Sequence, residues 1–72
     1  MTNAVYNTAL AATIISLRHT LAAAMVDATT ACQDLGDGNP RAAVGAVIPI
    51  RQALDDARAM LDAIFILNRN LK

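Results

Sequence analysis

The chain has 72 residues, six basic and six acidic side chains, and 56% hydrophobic residues. That length makes one small domain, and a formal net charge of zero removes the electrostatic attraction on which nucleic-acid binding depends. A single cysteine, Cys32, excludes a disulfide within the chain. With His19 as the sole histidine, no zinc-type ligand set is spaced to form.

From Asn3 to Asp34 there is no glycine or proline, and alanine, the best helix former, is abundant. Leucines, isoleucines and alanines recur in steps of four and three, which marks a heptad seam on one helix face. Ile14, Leu21, Ala28 and Leu35 take the a positions; Leu10, Leu17, Ala24 and Ala31 take the d positions. The pattern predicts a first helix over about 3–35, with Thr2 or Asn3 as its cap. No basic segment precedes an apolar core at the amino terminus, so no secretory leader is expected. The tract Ala9 to Leu17 is interrupted by Thr13 and Ser16 and ends at Arg18 and His19, so a membrane span is not expected either. A cytoplasmic setting follows, with Cys32 read as a small buried apolar residue.

The segment "LGDGNPR" is a turn over 36–39. Gly36 or Gly38 suits the left-handed residue that ends a helix. Asn39 suits a cap, and Pro40 the first helical position, where an N–H has no partner to lose. Its likeness to a calcium loop is one of composition only, without the ligand spacing or the terminal glutamate. So short a connection predicts an antiparallel second helix over about 40–70.

The second helix repeats the pattern. Val47, Leu54, Leu61 and Asn68 are a; Ile50, Ala57, Ile64 and Leu71 are d. The phase runs through Pro49 without a slip. The carbonyl with which the proline ring clashes belongs to Gly45, the one glycine of this helix. A kink near 49, in a helix that keeps its register, is the preferred reading over a break. Folding the two seams together sets Ala28 near Val47, Leu21 near Leu54, Ile14 near Leu61, and Asn7 near Asn68.

The seams leave large apolar residues over, among them Ile15, Met25, Val26, Ile48 and Phe65, and the run Ala63 to Leu67 is apolar on every side. A helix apolar all round is buried all round, which one facing helix cannot achieve. The fold class expected is therefore all-α: an antiparallel helical hairpin with a Pro-kinked second helix, self-associating into a four-helix bundle or larger helical oligomer. A homodimer is the simplest assembly. The expected interface takes Leu10, Ile14 and Ile15 from the first helix and Met60, Ile64, Phe65, Ile66 and Leu67 from the second. A pair of hairpins resembles the Rop architecture. No motif of that family is present, and the neutral charge argues against an RNA role.

No phosphate-binding glycine loop, zinc motif or nucleophile elbow occurs, so neither an enzyme nor a cofactor is expected. The function expected is that of a non-enzymatic oligomerisation and protein-interaction module: an adaptor, regulator or inhibitor of a partner protein. The alternative is an oligomeric binder of an anionic metabolite or nucleotide. Its candidate ligands are Arg18, Arg51 and Arg58, all at e positions, whose guanidinium groups suit phosphate or carboxylate. Asp55 and Asp62 stand one helical turn from Arg51 and Arg58, so a solvated ladder of charges explains the same residues.

Overall fold

A computed structural model describes residues 2–69, and two helices account for nearly all of them. Helix α1 spans Thr2–Gly36 and α2 spans Pro40–Arg69. They pack against each other as an antiparallel hairpin 56 × 14 × 12 Å in extent. The side chains of the expected caps, Thr2 and Asn3, and the d residue Leu71 lie outside what the structure describes.

The turn closes by hydrogen bonds that the sequence dictates. The Asn39 N–H donates to the Asp34 carbonyl at 2.8 Å, and the Gly38 N–H to the Leu35 carbonyl at 3.0 Å. This six-to-one and five-to-two pair is a Schellman motif, and it satisfies carbonyls that the end of α1 would leave bare. The motif needs a left-handed residue at Gly38, where φ is +75°, and an L side chain is strained there. Asn39 then begins α2. Its Oδ1 accepts from the Ala42 N–H at 3.3 Å, and its carbonyl accepts from the Ala43 N–H at 3.2 Å. One residue thus closes the first helix with its backbone and caps the second with its side chain. Asn39→Ala keeps the backbone bonds and loses the cap, so a destabilisation of about 1 kcal/mol is expected in a urea titration.

The helix α2 continues through Pro49 without a break. A side chain added at Gly45 would meet nothing within 4 Å outside the helix itself. Gly45 is therefore not there to bring the helices together, and what its carbonyl faces is the ring of Pro49, one turn on.

The two helices meet through different residues from those expected. Among the described residues the buried ones are Ala31, Ala43 and Ala57. The half-buried residues of α1 are Leu10, Thr13, Leu17, Thr20, Ala24, Asp27 and Asp34, with Ala9 beside them. Those of α2 include Ala46, Ile50, Ala53, Met60, Ile64 and Leu67. The d positions of both seams are in the contact, as expected. The a positions are not: Ile14, Leu21, Leu35, Val47, Leu54 and Leu61 are 41–60% exposed. Their place is taken by the residues immediately before them. The hairpin closes through d and g rather than a and d.

Where Ala24, Ala31, Ala43, Ala46, Ala53 and Ala57 lie in the contact, small side chains let the two helix axes approach closely. The polar residues on the contact face are accommodated locally. The Thr13 hydroxyl donates to the Ala9 carbonyl at 2.8 Å, so it brings no unsatisfied group into the contact. Thr20 Oγ1 lies 3.9 Å from Met60 Sδ across the helix pair.

Candidate functional site: an uncovered apolar face

Helix geometry fixes what the rotation leaves outside. In an antiparallel pair joined through d and g, the a stripes of both helices point to the same side of the ribbon and the c stripes to the other. One broad face therefore carries Ile14, Leu21, Ala28 and Leu35 beside Val47, Leu54 and Leu61. The opposite face carries small and polar residues: Ser16, Ala23 and Thr30 from α1, Pro49, Asp56 and Ala63 from α2. The residues that the sequence pairs between the helices, Leu21 with Leu54 and Ile14 with Leu61, are all exposed on this face. They form layers on a face instead of layers between the helices. Asn7 and Asn68, at the open end, are both exposed.

Of three adjacent stripes, d and a are small or apolar along much of both helices and g is so on α2, whereas g on α1 carries Thr13, Thr20, Asp27 and Asp34. A hairpin needs two of them. A helix in a four-helix bundle, which faces two neighbours, needs all three.

The residues expected to form an interface separate into two groups. Leu10, Met60, Ile64 and Leu67 are half-buried within the hairpin. Ile14, Ile15, Phe65 and Ile66 are exposed, at 47%, 54%, 61% and 54%. Ile14 belongs to the broad face and Phe65 to its edge. Ile15 and Ile66 point away from it. The sequence assigns Leu21, Val47, Leu54 and Leu61 to the hairpin's own seam, whereas they are 41–55% exposed on the broad face. The missed signal is the width of the apolar arc.

The e stripes border the broad face. Arg18 stands on the α1 edge, with Arg51 and Arg58 on the α2 edge, and all three are exposed. Two apolar stripes separate Arg18 from the others, so one chain does not gather them into an anion pocket. On the α2 side the Gln52 amide donates to Asp56 Oδ1 at 2.9 Å, a surface link between exposed residues. Cys32 also falls on an e position. It is exposed, contrary to its reading as a buried residue, because the rotation to d and g turns it outward.

The segment Asn7–Gly36 of α1 is long and apolar enough to cross a membrane by length and composition, and only 6% of its most apolar window is buried in the hairpin. This makes it a weak candidate for a span or signal. The same segment carries Arg18, His19, Asp27 and Asp34.

No protein-family model, curated protein or solved structure matches the chain.

Proposed function

We propose that this protein is a non-enzymatic oligomerisation and interaction module, a hairpin that pairs with a second copy through its broad apolar face to make a four-helix bundle. The observation that carries this reading is the exposure of Ile14, Leu21, Val47, Leu54 and Leu61 on one side of a chain whose buried residues, among those described, are three alanines. A folded monomer of 7.6 kDa exposes roughly 4,300 Å², and this chain exposes 5407 Å², about 1,100 Å² more. A standard dimer interface removes about 800 Å² from each partner. Completing the burial of half-exposed leucine-sized side chains contributes about 1 kcal/mol each. Over the face of two copies this reaches on the order of 10 kcal/mol, within the range of the cost of bringing two molecules together.

In this reading the bundle buries the layers led by Leu21 with Leu54 and Ile14 with Leu61. The small and polar face is left outward, available to other proteins. Light scattering after size exclusion at micromolar concentration tests the proposal. The expected mass is at least twice that of the chain. A folded monomer overturns it.

A further inference from the structure

The α2 edge of the broad face is its own complement. Going round the helix from the a stripe, e comes next and b follows it. On α2 the e stripe carries Arg51, Arg58 and Phe65, and the b stripe carries Ile48, Asp55 and Asp62, all exposed. Along the chain, e runs base, base, apolar, and b runs apolar, acid, acid. Reversed about a point midway between Asp56 and Ala57, Arg51 falls level with Asp62, Arg58 with Asp55, and Phe65 with Ile48. Within one helix the same charges are used less well. Arg51 with Asp55 and Arg58 with Asp62 run base first, the weaker orientation for a pair one turn apart.

We propose that the two broad faces meet with like helix on like, α2 antiparallel on α2 and α1 antiparallel on α1, about a two-fold axis that crosses α2 between Asp56 and Ala57. The inference rests on the self-assembly reading above and fixes how its two copies are arranged. At the outer flank of an antiparallel contact, the e stripe of one helix stands beside the b stripe of the other. Arg51 and Arg58 then reach Asp62 and Asp55 of the second copy, and symmetry repeats both ion pairs. Phe65, 61% exposed, arrives at a hollow of about 330 Å³ that Val44, Val47, Ile48 and Arg51 line at the far end of the same edge. The first helix agrees. The contact of Thr20 with Met60 places the axis near Thr20 on α1. Reversal there sets Met25 level with Ile15 of the second copy, again e beside b, and both are more than half exposed in the single chain. The opposite arrangement, with both turns at one end and α1 on α2, forfeits these matches. The b stripe of α1 carries Thr8, Ile15, Ala22 and Thr29. Arg51 and Arg58 would meet no carboxylate on it, and Asp55 and Asp62 would share Arg18.

Cys32, exposed and the single cysteine, reports the arrangement in the wild-type chain. Its distance along α1 from Thr20, at about 1.5 Å per residue, sets nitroxide labels on the two copies roughly 35 Å apart when like lies on like. With α1 on α2 both cysteines share one level, on opposite edges of a bundle two helices wide, roughly 20 Å apart. Pulsed electron paramagnetic resonance on the labelled wild-type chain is expected to give the longer distance. The shorter one overturns this inference and leaves the proposed function standing. A wild-type monomer overturns both. Independently, a chain with Arg51→Asp and Arg58→Asp and a chain with Asp55→Arg and Asp62→Arg place like charges opposite one another. Each is expected to self-associate at least tenfold more weakly than wild type with its helical circular dichroism intact, and their equimolar mixture to recover the wild-type affinity. A mixture no tighter than either variant alone overturns the inference.

Discussion

Leu21→Glu is expected to dissolve the pairing of hairpins while leaving each hairpin folded. Leu21 is 45% exposed in the single chain, so the carboxylate can reach water there and the helix loses little. In the pair it is different. Leu21 and Leu54 share a layer near the middle of the broad face, and a second copy brings the same layer against them. Each glutamate would then be desolvated at a cost of a few kcal/mol, which Arg18, one turn back on the bordering e stripe and itself exposed, offsets only in part. Symmetry doubles that cost, because one substitution places a carboxylate in both copies. Since 1.4 kcal/mol is a factor of ten, a loss of at least 100-fold in dimer affinity is expected, read by analytical ultracentrifugation over a dilution series. Ala23→Glu, two residues on and exposed on the opposite face, is the control and should leave the affinity within a few-fold. Equal weakening by both would show that added charge alone, and not its place on the broad face, drives the effect.

That prediction concerns a residue which the sequence marks as important for a different reason. Much of the architecture is legible from residue types alone. Gly38, Asn39 and Pro40 each have one conformation they suit best, and the turn uses all three. The heptad phase of both helices is legible as well, since Leu10, Leu17, Ile50 and Ile64 lie in the contact where the spacing puts them. The rotation of the helices about their own axes is not legible. Ranking positions by apolarity favours Ile14 and Leu21 over Thr13 and Thr20. Closure of a thin hairpin ranks them by size, and a threonine that bonds its own helix counts as small rather than as polar. A shift of one residue then moves every a side chain from the seam to the surface. Cys32 follows the same logic: its composition suggests burial, and its stripe decides otherwise. The excess of apolar surface is likewise evident from composition, but its gathering on one broad face requires knowing which stripe the hairpin has used.

Pro49→Ala is expected to give the largest gain in stability of any single substitution in this chain. Pro49 lies ten residues into a 30-residue helix, and it is exposed on the c stripe, so no packing is lost with its ring. A proline in a helix interior costs about 3 kcal/mol relative to alanine, through the missing N–H and the clash with the carbonyl one turn back. Alanine would donate to the Gly45 carbonyl and remove that clash. Against this, the unfolded chain becomes more flexible, which offsets roughly 0.4–1 kcal/mol. The net gain is about 2 kcal/mol, which for a domain of this size raises Tm by roughly 10 °C. The scan should be run at fixed chain concentration, because assembly makes Tm concentration-dependent. Mass measured on the same samples separates two roles for the proline. A higher Tm with the wild-type mass means that the helix merely tolerates Pro49. A higher Tm with a smaller mass means that a bend at Pro49 tilts the first turns of α2, and with them Val44, Val47 and Ile48, into the geometry that a second copy requires. The first result is expected, since α2 holds its heptad phase on both sides of the proline and the stripe of Val47, Leu54 and Leu61 crosses it without a step.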